Sequence, residues 1–154
     1  MITFGLKIVL NISLMNKTIL LLCFSMLSVI LPAQTARITV RVQGIQQIKG
    51  NMSIAIYDNA DDFPDNNQFL FGKRIAVQSE VVEYVFDDIP LGTYAIAVYH
   101  DKDMDGELNA NWFGIPKEPY GFSNNVTGKM GPPDFEDASF ILREDIKFNI
   151  NLKE

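Results

Sequence analysis

The stretch DIKFNINLKE alternates at every position. Ile146, Phe148, Ile150 and Leu152 fall on one side, and Lys147, Asn149, Asn151 and Lys153 on the other. Successive side chains of a β-strand point to opposite faces, so this period predicts a strand with one buried face. A helix is excluded, because its apolar positions would recur every three or four residues. RITVRVQGI repeats the pattern, with Ile38, Val40 and Val42 set against Arg37, Thr39, Arg41 and Gln43. NMSIAIYD does so through Ile54 and Ile56, and KRIAVQ, EVVEYVFDDI, GTYAIAVYHD and ASFIL read as further strands bounded by Gly, Pro and Asn. About seven strands are enough for two sheets packed face to face, so the expected fold is all-β, a single β-sandwich.

Within VFDDIPLGTYAIAVYHD a strand ending in an aromatic meets a tight Pro-Leu-Gly turn and a strand opening Thr-Tyr, which predicts a hairpin. The segment resembles the F-x-x-I-P-x-G-x-Y turn of transthyretin-like and carboxypeptidase-regulatory-like sandwiches. An Ig-like or transthyretin-like arrangement is what that resemblance implies. Two connections are long, residues 58–72 and Asp101 to about Asp137. Loops of that length are usually functional or disordered. The second carries Trp112, Phe113, Tyr120, Phe122 and Phe135 among its prolines, so it is expected to pack as one long ordered loop.

The first 33 residues carry a different signal. From Met15 the chain reads MNKTILLLCFSMLSVILPAQTA: one basic residue, an apolar run from Thr18 to Leu31, and a small-residue exit at Ala33. That is the layout of a secretory signal peptide, and the run of about 14 residues is short for a membrane span. Residues 1–33 are read as a signal, with Met15 the expected true start, and 34–154 as the sandwich domain. The bulky Leu22 before Cys23 argues against a lipoprotein anchor. Export, to the periplasm or beyond, is the expectation. Removing Lys7 and Lys17 with the signal leaves eleven basic residues against nineteen acidic ones, a net charge of −8. An acidic domain repels nucleic acid and anionic lipid. Cys23, the only cysteine, leaves with the signal, which removes disulfides, thiol nucleophiles and thiolate metal sites from the domain.

The acidic stretch DKDMDGELN, residues 101–109, is the feature that points to chemistry. Asp101, Asp103 and Asp105 occupy every second position and Gly106 follows them. Three carboxylates held this close repel one another unless a cation lies between them. The spacing matches the first nine positions of an EF-hand-type Ca²⁺ loop: side-chain oxygens from Asp101, Asp103 and Asp105, a turn glycine, a backbone carbonyl from Glu107, and Asn109 acting through water. Leu108 sits where such loops place an apolar residue. The twelfth position, normally a bidentate glutamate, is Trp112, so the closing ligand must come from elsewhere. Glu107, Glu118, Asp134, Glu136 and Asp137 are the nearby acidic residues. The missing ligand predicts weak binding, on the order of 10⁻⁴–10⁻³ M. The competing reading is a solvated acidic turn.

His100, the only histidine, ends a strand beside Asp101. It either braces the loop or, in a hydrolase, pairs with a loop carboxylate as an acid–base couple. With Trp112, Phe113, Tyr120 and Phe122 it could alternatively line a surface for a glycan, peptide or envelope protein. The same aromatics could equally form a minor core under the loop. A purely structural envelope protein is the remaining alternative.

GTYAIAVYHDKDMDGELNANWFGIPKEPYGFSNN and GPPDFEDASFIL together resemble domain-of-unknown-function family 2141, over essentially all of Arg37 to Leu152. The signature joins the His-Asp loop to G-x-P-x-E-x-Y-G-F-S-N-N. Asn109 departs from the aspartate expected there and removes one charge from the site. The resemblance implies export and a sandwich fold and supplies no activity.

Overall fold

The computed structural model describes residues 34–64, 68–112, 115–128 and 131–153. The expected signal segment lies outside the described residues. No helix among them is long and apolar enough to cross a membrane.

Among the described residues eight strands form two sheets: β1 (Thr35–Gln43), β2 (Asn51–Tyr57), β3 (Phe71–Ala76), β4 (Val81–Pro90), β5 (Gly92–Asp101), β6 (Tyr120–Phe122), β7 (Phe140–Leu142) and β8 (Ile146–Asn151). One sheet runs β4-β1-β8, the other β3-β2-β5-β6 with β7 also paired to β5. β1 is antiparallel to β4 and parallel to β8. The fold is the expected all-β sandwich, and the short β6 inside the long loop raises the strand count to eight.

The alternation places the residues as read. Ile38, Val40 and Val42 of β1, Ile54 and Ile56 of β2, and Ile150 of β8 are fully buried in one cluster between the sheets. Each such side chain stabilises the domain by roughly 1.5–3 kcal/mol relative to exposure. β5 departs from the one-sided pattern. It lies inside its sheet, and Tyr94, Ile96 and Val98 face the main core. Ala95 and Ala97 face a second cluster with Phe122, Ala138, Phe63 and Phe135. That cluster is the floor beneath the long connections. It includes the one-turn helix α1 (Phe135–Ala138).

The expected Pro-Leu-Gly hairpin does not form. β4 and β5 belong to different sheets, so the turn at Leu91 is a corner that carries the chain across the sandwich. Tyr94 donates its hydroxyl to the Pro90 carbonyl at 2.8 Å, four residues upstream, and pins that corner. Just before it, Asp87 and Asp88 oppose a single residue of β1, with Asp88 at φ 57. A bulge of this kind bends a strand and ends its pairing.

Candidate metal centre

β5 delivers the site. Its side chains alternate, so His100 continues the core-facing row of Tyr94, Ile96 and Val98. Tyr99 and Asp101 face the outer surface of the five-stranded sheet. Arg74, Ser53, Tyr99 and Tyr120 lie opposite one another in register across that surface. The chain leaving Asp101 folds back over the row, and the Gly106 carbonyl accepts hydrogen bonds from both Tyr99 Oη and Arg74 Nη2 at 2.8 Å. Gly106 has φ +86, which side-chain-bearing residues rarely adopt and a tight return of this kind requires.

This return brings the three aspartates together, with one carboxylate oxygen from each lying within 4.8 Å of the others. Oxygens bound to one Ca²⁺ at about 2.3–2.6 Å can be at most about 5 Å apart, so the span fits a shared ion. Asp103 and Asp105 are exposed, whereas Asp101 is 1% exposed. Asp101 Oδ2 accepts the Gly106 N–H at 3.1 Å, while Oδ1 is buried and has no hydrogen-bond partner. Asp105 accepts the Glu107 N–H at 2.9 Å. That bond first, then the Asn109 amide, holds its carboxyl below the usual carboxylate range. Asn109 Nδ2 donates to Asp103 Oδ2 at 3.2 Å and to Asp105 Oδ2 at 2.9 Å, and so lies between two carboxylates where a cation would compete with it. Among the described residues no lysine or arginine forms an ion pair with the three aspartates. An oxygen-only donor set with an orphaned buried carboxylate oxygen fits a hard cation such as Ca²⁺.

The other sequence expectations fare unevenly. Glu107 is exposed beside the cluster, and Leu108 is half-buried as an apolar loop position should be. Of the acidic residues considered for closing the site, Glu118 reaches the loop backbone. Its Oε1 accepts the Lys102 N–H at 2.7 Å and its Oε2 the Asn109 N–H at 3.2 Å. Glu136 and Asp137 belong to α1 and Asp134 precedes it, and none of the three joins the oxygen cluster.

The expected ligand surface is not assembled among the described residues. His100 is 0% exposed, and its Nε2 lies 2.7 Å from the Lys49 carbonyl. A carbonyl only accepts, so Nε2 carries the hydrogen. Facing the core from the opposite side of the strand, His100 is not placed to exchange a proton with Asp101. Phe122 is buried in the second cluster and Tyr120 packs against it. Phe113 lies outside the described residues. Trp112 alone keeps the expected exposure, at 96%. It leaves the stem of a small hairpin, in which Ala110 pairs with Pro116 and the Lys117 N–H bonds the Asn109 carbonyl at 2.7 Å.

Sequence reasoning gave no role to the S-N-N triplet. Ser123 Oγ accepts the Ile96 N–H at 2.9 Å and donates to the Ala138 carbonyl. Asn124 Nδ2 donates to the Asp137 and Ser139 carbonyls. Asn125 pairs with the Asn149 carbonyl and the Asn151 N–H like a short extra strand along β8. The triplet thus ties β5, α1 and β8 together. Three polar residues in a row on a loop hint at such backbone capping.

Fold and site together define a β-sandwich with a DxDxDG loop whose three aspartates could hold a metal ion. The chain belongs to the family described as an uncharacterised protein conserved in bacteria (DUF2141), which matches residues 40–150. Neither a curated protein nor a solved structure gives a match.

Proposed function

We propose that the protein is a calcium-binding, non-catalytic β-sandwich exported from a bacterial cell. In this reading the ion is held by Asp101, Asp103 and Asp105, with the Glu107 carbonyl and Asn109 completing the set. The observation that carries this reading is the buried Oδ1 of Asp101, which has no partner, on a residue that belongs to the aspartate cluster. A buried acceptor oxygen left without a partner costs about 1–3 kcal/mol, and a shared cation converts that cost into binding energy. The bound ion supplies positive charge to three carboxylates. The chain's own groups do the rest: Gly106 makes the turn, and Tyr99 and Arg74 hold its carbonyl. The braced loop then presents the exposed Trp112 to a glycan, a peptide or an envelope protein.

The test is the melting temperature of the protein and of Asp103→Ala, with calcium and after chelation. Asp103 is exposed and its backbone contact, from the Asp105 N–H, is long at 3.4 Å, so its loss should matter little without the ion. Calcium should raise the melting temperature of the protein and not of the variant. Equal melting with and without calcium in both proteins would defeat the reading. Export is tested separately by sequencing the N-terminus of the protein recovered outside the cytoplasm, where Gln34 is the expected first residue.

A further inference from the structure

Glu118 is 5% exposed, yet it stands outside the cluster of carboxylate oxygens. Its two oxygens accept N–H groups from the two ends of the nine-residue loop: Lys102, directly after the first aspartate, and Asn109, the last position. One side chain therefore ties the loop's ends together. Glu118 is itself fixed by β5. The carbonyl of the next residue, Pro119, accepts the His100 N–H at 2.8 Å, and Tyr120 then pairs with Tyr99 in β6.

We propose that Glu118 is the positioning residue of the metal loop. It holds residues 102–109 closed before a cation arrives and is not itself a ligand. The inference rests on the calcium reading above. Two N–H donors converge on Glu118, and a carboxylate can accept on both oxygens, here at 2.7 Å from Lys102 and 3.2 Å from Asn109. A glutamine of the same shape must turn its own NH₂ toward one of those donors. A loop ordered in advance loses less conformational entropy when it binds, which strengthens binding without any new contact to the ion. The clamp also reaches the hairpin, because Asn109 donates its N–H to Glu118 and accepts the Lys117 N–H at its carbonyl.

The experiment compares calcium titrations of the protein with those of Glu118→Gln, and follows exchange of the Lys102 and Asn109 backbone amides without calcium. In the unmodified protein both amides should exchange slowly before any calcium is added. Glu118→Gln should speed exchange at one or both and weaken calcium affinity by about 10–100-fold, the usual effect of removing a group that orients metal ligands. A merely structural glutamate would lower melting equally with and without calcium and leave the affinity unchanged, which overturns the proposal. Should the variant not fold, the unmodified protein still decides, since amides protected only after calcium is added would overturn it too. Absence of calcium binding by the unmodified protein would remove the metal reading and the proposal together. Normal binding with unchanged affinity in the variant would remove the proposal alone.

Discussion

Replacing Gly50 by alanine should destabilise the domain by about 2–5 kcal/mol and displace Asp101, the buried member of the aspartate cluster. Gly50 precedes β2 at φ +67, and a Cβ there would sit 2.2 Å from the Asp101 carbonyl oxygen and 2.9 Å from Lys102 Cα. Those are backbone atoms, so no side chain can swing aside. Nor is the turn free to retreat. The Gly50 carbonyl accepts the Val77 N–H at 3.0 Å, and the Lys49 carbonyl is held by His100. The left-handed backbone costs a residue with a Cβ about 1–2 kcal/mol, and forcing atoms into a packed site adds about 1–3 kcal/mol. Gly44→Ala isolates the first part, because Gly44 has φ +87 but its nearest contacts lie at 3.4 Å. That control should lose about 1–2 kcal/mol. Denaturant midpoints measure both variants. A Gly50→Ala protein no less stable than Gly44→Ala would refute the close approach of this turn to Asp101.

Three further outcomes are expected. Tyr94→Phe should lower stability by about 0.5–1.5 kcal/mol in the same denaturation assay, since its hydroxyl pins the corner at Pro90. Asn125→Ala should cost about 0.5–1.5 kcal/mol and speed amide exchange at Asn151, whose N–H it receives. The Arg37 backbone N–H, then its guanidinium, hold the Asp145 carboxyl below its ordinary value of 3.8. The stability this adds is fully present above 3.8 and is lost as pH falls through the lowered value. Asp145→Asn should therefore be less stable at neutral pH, with a flatter acid limb in a pH series of denaturation midpoints.

One-sided strands were legible in the sequence because their alternation is a direct image of one wet and one dry face. β1 and β8 needed nothing more. In β5, GTYAIAVYHD mixes small and large apolar residues because both faces are covered, and its periodicity does not say which face holds His100. That question decides the histidine's role, and only the strand's place inside the sheet answers it. The Pro-Leu-Gly turn was legible as a turn. Its partner strands were not, since a local motif does not encode which sheet each arm joins. Spacing and the turn glycine brought Asp101, Asp103 and Asp105 together on paper as they are in space. Glu118 stood in the sequence as one acidic residue among five. It became distinct once β6 carried it beneath the loop, where two backbone N–H groups meet it.

Calorimetric titration of the chelated protein with calcium tests the proposed metal centre most directly, with a melting curve alongside. Saturable binding is expected with a dissociation constant on the order of 10⁻⁴–10⁻³ M. At about 10 mM calcium that range stabilises the folded state by about 1.4–2.7 kcal/mol. The melting temperature should rise accordingly, and Asp103→Ala should abolish both the heat and the rise. No heat and no shift in the unmodified protein would contradict the reading and return the three aspartates to a solvated turn.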